Sequence, residues 1–305
     1  MLDQQLRLEK DETLFLAVRG QDSPDAARSG LAGMLLAKRA ARPGADGAIP
    51  ARGNISFVVV DEAARRRGIG SALMERAETW LRERGARTVR FGADSHHFFP
   101  GAPVDASPAS AALEAFLAKH GYRSEGLEQD LAADLGALDL AGLERRAPLA
   151  PGYRIRRWEP ALLEATVGFL RRNFPGRWLS DCLEAIDAGM RGEDLLLLED
   201  AATRSIVGFS RVYDRRSAVL GPSVYWRGLM GDSPCGLGPI GVDAERRGLG
   251  LGLALLRASM AELARRGGRF MVIDWTDLGD FYGKFGFKPW REYRLYAKAL
   301  SPNRG

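Results

Sequence analysis

Residues 242–255 read Val242-Asp243-Ala244-Glu245-Arg246-Arg247-Gly248-Leu249-Gly250-Leu251-Gly252-Leu253-Ala254-Leu255. Residues 60–73 read Val60-Asp61-Glu62-Ala63-Ala64-Arg65-Arg66-Arg67-Gly68-Ile69-Gly70-Ser71-Ala72-Leu73. Each stretch opens on Val-Asp, places an Arg five residues after the Val, and places glycines eight and ten residues after it. The offset is 182 residues. Upstream, Leu14–Val18 faces Leu196–Asp200 at the same offset, and downstream both copies run into a helical pattern that stops at Gly85 or Gly267. A period this long marks a duplicated domain, since solenoid repeats recur every ~20–50 residues. The length of 305 residues suits two domains of roughly 150 each.

The spacing predicts strand, Arg/Gly-rich turn, then helix in both copies. That arrangement has a chemical use. A helix's first turn presents N–H groups without intrahelical partners, the dipole adds about half a positive charge there, and glycines let an anion approach the backbone. Arginines add charge-assisted donors. Three readings compete: glycines that only shape a tight turn, a dinucleotide fingerprint, and a phosphate loop of another kind. The fingerprint needs GxGxxG near the first strand of its domain. Here the spacings are Gly68-x-Gly70-x-Ala72 and Gly248-x-Gly250-x-Gly252, both mid-domain, and GxxxxGK[ST] is absent.

With the hexapeptides Arg65-Arg66-Arg67-Gly68-Ile69-Gly70 and Arg247-Gly248-Leu249-Gly250-Leu251-Gly252, the chain resembles the GNAT superfamily of acyl-CoA-dependent N-acyltransferases. That family carries [Q/R]-x-x-G-x-[G/A] between its fourth strand and third helix, where it binds the pyrophosphate of acetyl-CoA. The resemblance implies two α/β domains, each a mixed, mostly antiparallel sheet flanked by helices. Residues 1–140 would form an abbreviated N-terminal domain and 150–305 the catalytic one. It implies acetyl-CoA as cosubstrate, held by Arg65, Gly68, Ile69 and Gly70 in one half. In the other half Arg247, Gly248, Leu249, Gly250, Leu251 and Gly252 would hold it, with the backbone of Ile240, Gly241 and Val242 polarising the thioester carbonyl.

The chemistry separates the halves. Acyl transfer to an amine needs a base for the amine and a proton for the departing thiolate. Family members often keep an acidic tyrosine in an F-Y-x-K-x-G-F segment. Here that segment is Phe281-Tyr282-Gly283-Lys284-Phe285-Gly286-Phe287. Tyr282 would be the acid, the alternative being a packed aromatic. The other half reads Phe116-Leu117-Ala118-Lys119-His120-Gly121-Tyr122, and Leu117 cannot donate a proton. Asp274, at the end of a predicted strand, is the candidate base, with a water-mediated base left open. Asp277 and Asp280 nearby would suit a cationic amine, or are solvated loop acids.

Composition excludes several classes. Hydrophobic residues are 46% and charged residues 27%, the balance of a globular protein. No apolar run approaches the ~18 residues of a membrane span, and Met1–Gln5 lacks the pattern of a signal peptide, so a cytoplasmic location is expected. Two cysteines, Cys182 and Cys235, supply neither a disulfide framework nor a metal spacing. His96 and His97 are adjacent, a poor ligand spacing in what reads as a surface or interdomain loop; no metal is expected. The net charge of +5 is spread along the chain and nearly all arginine, which argues against nucleic acid. The expected partner is a small-molecule amine, amino-sugar-like or aminoglycoside-like by analogy. A protein-amine acceptor or a non-catalytic acyl-CoA-binding protein is the alternative, and no oligomeric state is implied.

Overall fold

The computed structural model describes residues 11–20, 30–41, 48–94 and 97–301. The chain forms two compact units, one of residues 2–128 with 292–305 and one of residues 129–291. In chain order the strands are β1 (Glu12–Arg19), β2 (Leu31–Arg39), β3 (Arg52–Val60), β4 (Thr88–Phe91), β5 (Ala102–Pro103), β6 (Arg123–Asp134), β7 (Tyr153–Arg157), β8 (Leu195–Asp200), β9 (Ile206–Tyr213), β10 (Pro234–Val242), β11 (Phe270–Ile273) and β12 (Lys288–Ala299).

The N-terminal unit has the sheet order β1-β2-β3-β4-β12, and β12 also pairs β5. The C-terminal unit has the order β6-β11-β10-β9-β8-β7. The units therefore depart from chain order. Leu131–Asp134 pair antiparallel with Phe270–Ile273, while Tyr296–Ala299 pair with Thr88–Phe91. The segment 129–140, which chain order assigns to the first domain, belongs by pairing to the second unit, and the chain's last strand belongs to the first. The stretch between the two expected domains also holds a helix, Leu140–Arg146, whose Leu143 is 1% exposed in the C-terminal core.

The sequence repeat is a structural repeat in detail. Helices Ile69–Glu83 and Leu251–Arg265 start and stop 182 residues apart. Leu73, Met74, Ala77, Glu78 and Leu81 are buried on the first, and Leu255, Leu256, Ser259, Met260 and Leu263 on the second, position for position. This is the stripe of an amphipathic helix, and each large apolar side chain it buries contributes about 1.5–3 kcal/mol. Asp61 and Asp243 each accept from the N–H two residues on, at 3.0 Å, and so fix the preceding turn. Arg66 adopts the left-handed backbone, at φ 63°, that Gly248 adopts at φ 84°.

Both units part their central strands at the same place. β3 pairs with β4 only through Arg52–Ile55, and β10 with β11 only through Pro234–Leu237. Beyond those residues β3 and β10 continue without the parallel partner, and their other ladders shift register, at Leu36/Ala37 and Leu237/Ile240. The units differ in cover. In the C-terminal unit the helices Leu163–Asn173 and Arg177–Asp187 pack Phe169, Leu170 and Cys182 onto Leu195, Leu197 and Phe209. Among the described residues the N-terminal unit has no such helix pair.

Candidate functional site

The Arg/Gly turn of the C-terminal unit ends in Gly250, the helix N-cap, at φ 73° and without a side-chain cap. A Cβ placed at Gly248 or Gly250 would meet nothing within 4 Å. Glycine is needed at these two positions for its left-handed backbone, and the space above them is open. Arg247 and Leu249 are exposed around that opening. Gly252, one turn in, is needed for packing: the Phe281 ring lies 3.6 Å from where its Cβ would be. The open cradle, the uncapped helix and the exposed arginine fit a diphosphate. Arg65, Gly68, Ile69 and Gly70 repeat the arrangement, with Gly68 at φ 83° and the Phe116 ring 3.3 Å from a Gly70 Cβ. The Arg65 side chain donates to the carbonyl of Val60 at 3.2 Å.

Where β10 and β11 part, the structure brings Asp274 and Tyr282 together. Asp274 directly follows β11 and is half-buried, and its Oδ1 lies 2.8 Å from where a Cβ of Gly238 would sit. Tyr282 is 5% exposed, on the short helix Gly279–Gly283, with its ring against Phe281 at 4.9 Å and Phe287 at 5.9 Å. Burial, then the charge of Asp274, pushes the Tyr282 hydroxyl above the ordinary tyrosine range, so it stays protonated. Ile240, Gly241 and Val242 form the stretch of β10 that β11 leaves without a ladder. Asp277 and Asp280 are exposed.

One face of β10 was not singled out from the sequence. Gly236, Gly238 and Gly241 leave it bare, and each glycine admits a side chain from another element. Ser223 sits on Gly236, the Asp274 carboxylate on Gly238, and the Phe174 ring 2.5 Å from a Gly241 Cβ. Arg211 and Tyr213 of β9 are stacked beside them, guanidinium to ring centroid 5.1 Å. A cleft of about 250 Å³ lined by Phe174, Pro175, Arg177 and Trp178 adjoins Gly241 through the Phe174 ring. The alternation Gly236-Leu237-Gly238, resumed at Gly241, was the available signal: glycine at every position on one face of a strand.

The same positions in the N-terminal unit are closed. Asn54, the counterpart of Gly236, donates to the carbonyls of Gly92 and Ala93 at 2.9 and 3.0 Å. Ser56, the counterpart of Gly238, donates to Asp94 at 2.5 Å, and Asp94 pairs with Lys38 at 2.9 Å, both 1% exposed. Gly92 stands where Asp274 does, and the loop after it folds back so tightly that a Cβ there would be 2.7 Å from the Phe99 carbonyl. The rings of Phe98 and Phe99 both lie 5.9 Å from that of Phe57. Leu117, in the tyrosine position, is fully buried. His97 is 7% exposed and Phe98 beside it is buried, so His97 itself does not lie on the surface. His96 lies outside the described residues.

Cys235 is buried against Gly268, and burial, then Asp214, pushes its thiol up to about 12, which leaves no thiolate for nucleophilic chemistry. Among the described residues no group of His, Cys, Asp and Glu could hold a metal, and no helix is long and apolar enough to cross a membrane.

Residues 3–100 match the model of the acetyltransferase (GNAT) family. No curated protein matches the chain. Among solved structures, the chain is similar to the glucosamine N-acetyltransferase region of a fungal multi-domain β-N-acetylglucosaminidase, with a TM-score of 0.77 and 22% identity over 95% of this chain and 38% of that one. The chain thus spans well under half the length of that protein. It is also similar to a tandem GNAT protein from the clavulanic acid biosynthesis pathway, with a TM-score of 0.64 and 18% identity over 96% and 84% of the two chains. A third is an N-acetyltransferase of this group from Sphaerobacter thermophilus, with a TM-score of 0.58 and 21% identity over 91% and 84%. The first phosphate loop lies within the stretch that matches the family, and the same loop and helix recur 182 residues on, so the chain carries two copies of the fold its solved neighbours share.

Proposed function

We propose that the protein transfers an acetyl group from acetyl-CoA to a primary amine of a small molecule, and that the C-terminal unit performs the chemistry. One observation carries this reading: the Asp274 carboxylate, close enough to act on the buried Tyr282 phenol, lies where β10 and β11 part, in the unit that carries the uncapped Gly-rich helix. Arg247 and the N–H groups from Gly248 to Gly252 hold the pyrophosphate, and the cosubstrate brings the acetyl group already activated as a thioester. The N–H groups of Ile240–Val242 donate to the developing oxyanion. Asp274 accepts the amine's proton as the new C–N bond forms. Tyr282 donates its hydrogen to the sulfur as the C–S bond breaks.

The N-terminal unit keeps the turn of a pyrophosphate site but leaves no room for a thioester arm, because Asn54 and Ser56 tie the residues after β4, Gly92 to Asp94, across the place where β3 and β4 part. Its role is support, and each chain uses one acetyl-CoA. The relatives named above make an amino-sugar-like acceptor the first to try. A thiol-release assay with acetyl-CoA and amino sugars, aminoglycosides, polyamines and peptides tests the reading. Acceptor-dependent release is expected. Acetyl-CoA binding without release from any amine would favour a binding protein, and absence of binding would end the proposal.

A further inference from the structure

Ser223 is 2% exposed, and its Oγ has no hydrogen-bond partner among the described residues. Buried hydroxyls are costly to leave unpaired, and native structures keep few of them. This one stands at a particular place. It lies in the short 3-10 turn Pro222–Val224 of the segment joining β9 to β10, resting on the bare backbone of Gly236. The turn is held there from behind. Gly221 receives the ring of Tyr213 so closely that a Cβ would be 2.6 Å from the phenol oxygen. Tyr213 is 2% exposed, and burial holds its hydroxyl protonated. The serine is thus fixed along the same strand face as the Asp274 carboxylate, which rests on Gly238 two residues on.

Two residues along a strand is about 6.6 Å. A two-carbon unit with nitrogen at one end and oxygen at the other, with one hydrogen bond of about 2.8 Å at each end, is of that order of length. We propose that the acceptor is a vicinal amino alcohol, the unit an amino sugar presents, with its amine at Asp274 and the neighbouring hydroxyl paired with Ser223 Oγ. One χ1 rotation turns the hydroxyl toward a ligand on the glycine face. A linear polyamine or a lysine side chain has no hydroxyl to place there. Ser223 is then a specificity-determining residue, and the assignment rests on the transferase reading above.

The test compares trans-2-aminocyclohexanol with cyclohexylamine as acceptors for acetyl-CoA, which differ only in that hydroxyl, and adds glucosamine. The wild-type protein is expected to prefer the amino alcohol by at least tenfold in kcat/KM. In Ser223→Ala that ratio falls toward one and the KM for glucosamine rises about tenfold, while the melting temperature is not lowered, since the hydroxyl has no partner within the fold. A ratio unchanged by the substitution, or an equal loss for both amines with a lowered melting temperature, would overturn the proposal in favour of a structural serine. If no amine releases CoA from the wild type although acetyl-CoA binds, the transferase reading fails first and takes this assignment with it.

Discussion

Replacing Tyr282 by Phe removes one oxygen and leaves the ring. Because that ring packs edge-on against Phe281 and Phe287, the substitution keeps the contacts that bury it. The folded state should therefore change little, within about 1 kcal/mol. The rate should change a great deal. General-acid assistance contributes roughly 10²–10⁴-fold. Tyr282 holds its proton more tightly than an ordinary tyrosine, first through burial and then through Asp274, whereas a thiol releases its proton near pH 8.5. Complete transfer to sulfur is thus uphill, and on the proposed mechanism the group would act mainly as a strong hydrogen-bond donor to the developing thiolate. That places the expected loss at the low end, about 100-fold in kcat or about 2.7 kcal/mol in the barrier.

Steady-state kinetics with saturating acetyl-CoA would measure this, with the KM for acetyl-CoA expected within twofold of wild type. The pH dependence adds a sign. A hydroxyl raised above the ordinary range loses its proton only above about pH 10, so no limb below that pH belongs to Tyr282. Leu117→Tyr is the complementary control. Leu117 is fully buried, so the added phenol overpacks that core and is expected to bring no activity. A Tyr282→Phe protein that turned over at half the wild-type rate or better would refute the acid assignment.

Gly250→Val puts a β-branched residue at φ 73°, where only glycine is at ease, and should weaken acetyl-CoA binding at least tenfold; Gly68→Val at φ 83° should leave it unchanged, with calorimetry giving one site per chain. Gly238→Ala drives a methyl into the Asp274 carboxylate, so kcat should fall at least tenfold while the pyrophosphate end still binds. Asp94 in the N-terminal unit tests stability instead. Burial raises its pKa, the Lys38 charge and the Ser56 hydrogen bond outweigh burial, and the net value is about 2. A carboxylate depressed in this way contributes about 2–3 kcal/mol above its ordinary pKa near 4, and loses that contribution as pH falls toward 2. Asp94→Asn should lower stability by about 3 kcal/mol at pH 7 by leaving Lys38 buried without its partner charge, and should flatten the acid limb of the unfolding curve.

What could be read from the sequence was whatever depends on neighbours along the chain. The 182-residue repeat, the strand–turn–helix order and the tyrosine segment are local patterns, and the helices they specify begin and end in register. Strand partners are not local. Nothing in Leu131–Asp134 announces that it will pair with β11, because an apolar strand is equally content beside any open edge; the pairing is decided by which edge lies within reach of the chain. For the same reason the sequence-order boundary near residue 140 could not see the strands that complete each unit.

The difference between the two halves has the same logic. Arg65, Gly68 and Gly70 survive in the N-terminal copy, and from the motif alone that copy looks able to bind. Its closure depends on Asn54, Ser56 and Lys38, three unremarkable polar residues on neighbouring strands that meet one loop only after folding. The C-terminal counterparts of Asn54 and Ser56, at 236 and 238, are glycines, and side chains of other elements rest on that strand face instead. Duplication explains how both states persist in one chain. If the C-terminal copy alone performs the chemistry, as proposed, the other is free to fill its own strand opening with hydrogen bonds and aromatic rings. On the proposed reading, the polar contacts that fill the N-terminal copy leave it a supporting unit, whose β4 carries the chain's last strand through Thr88–Phe91.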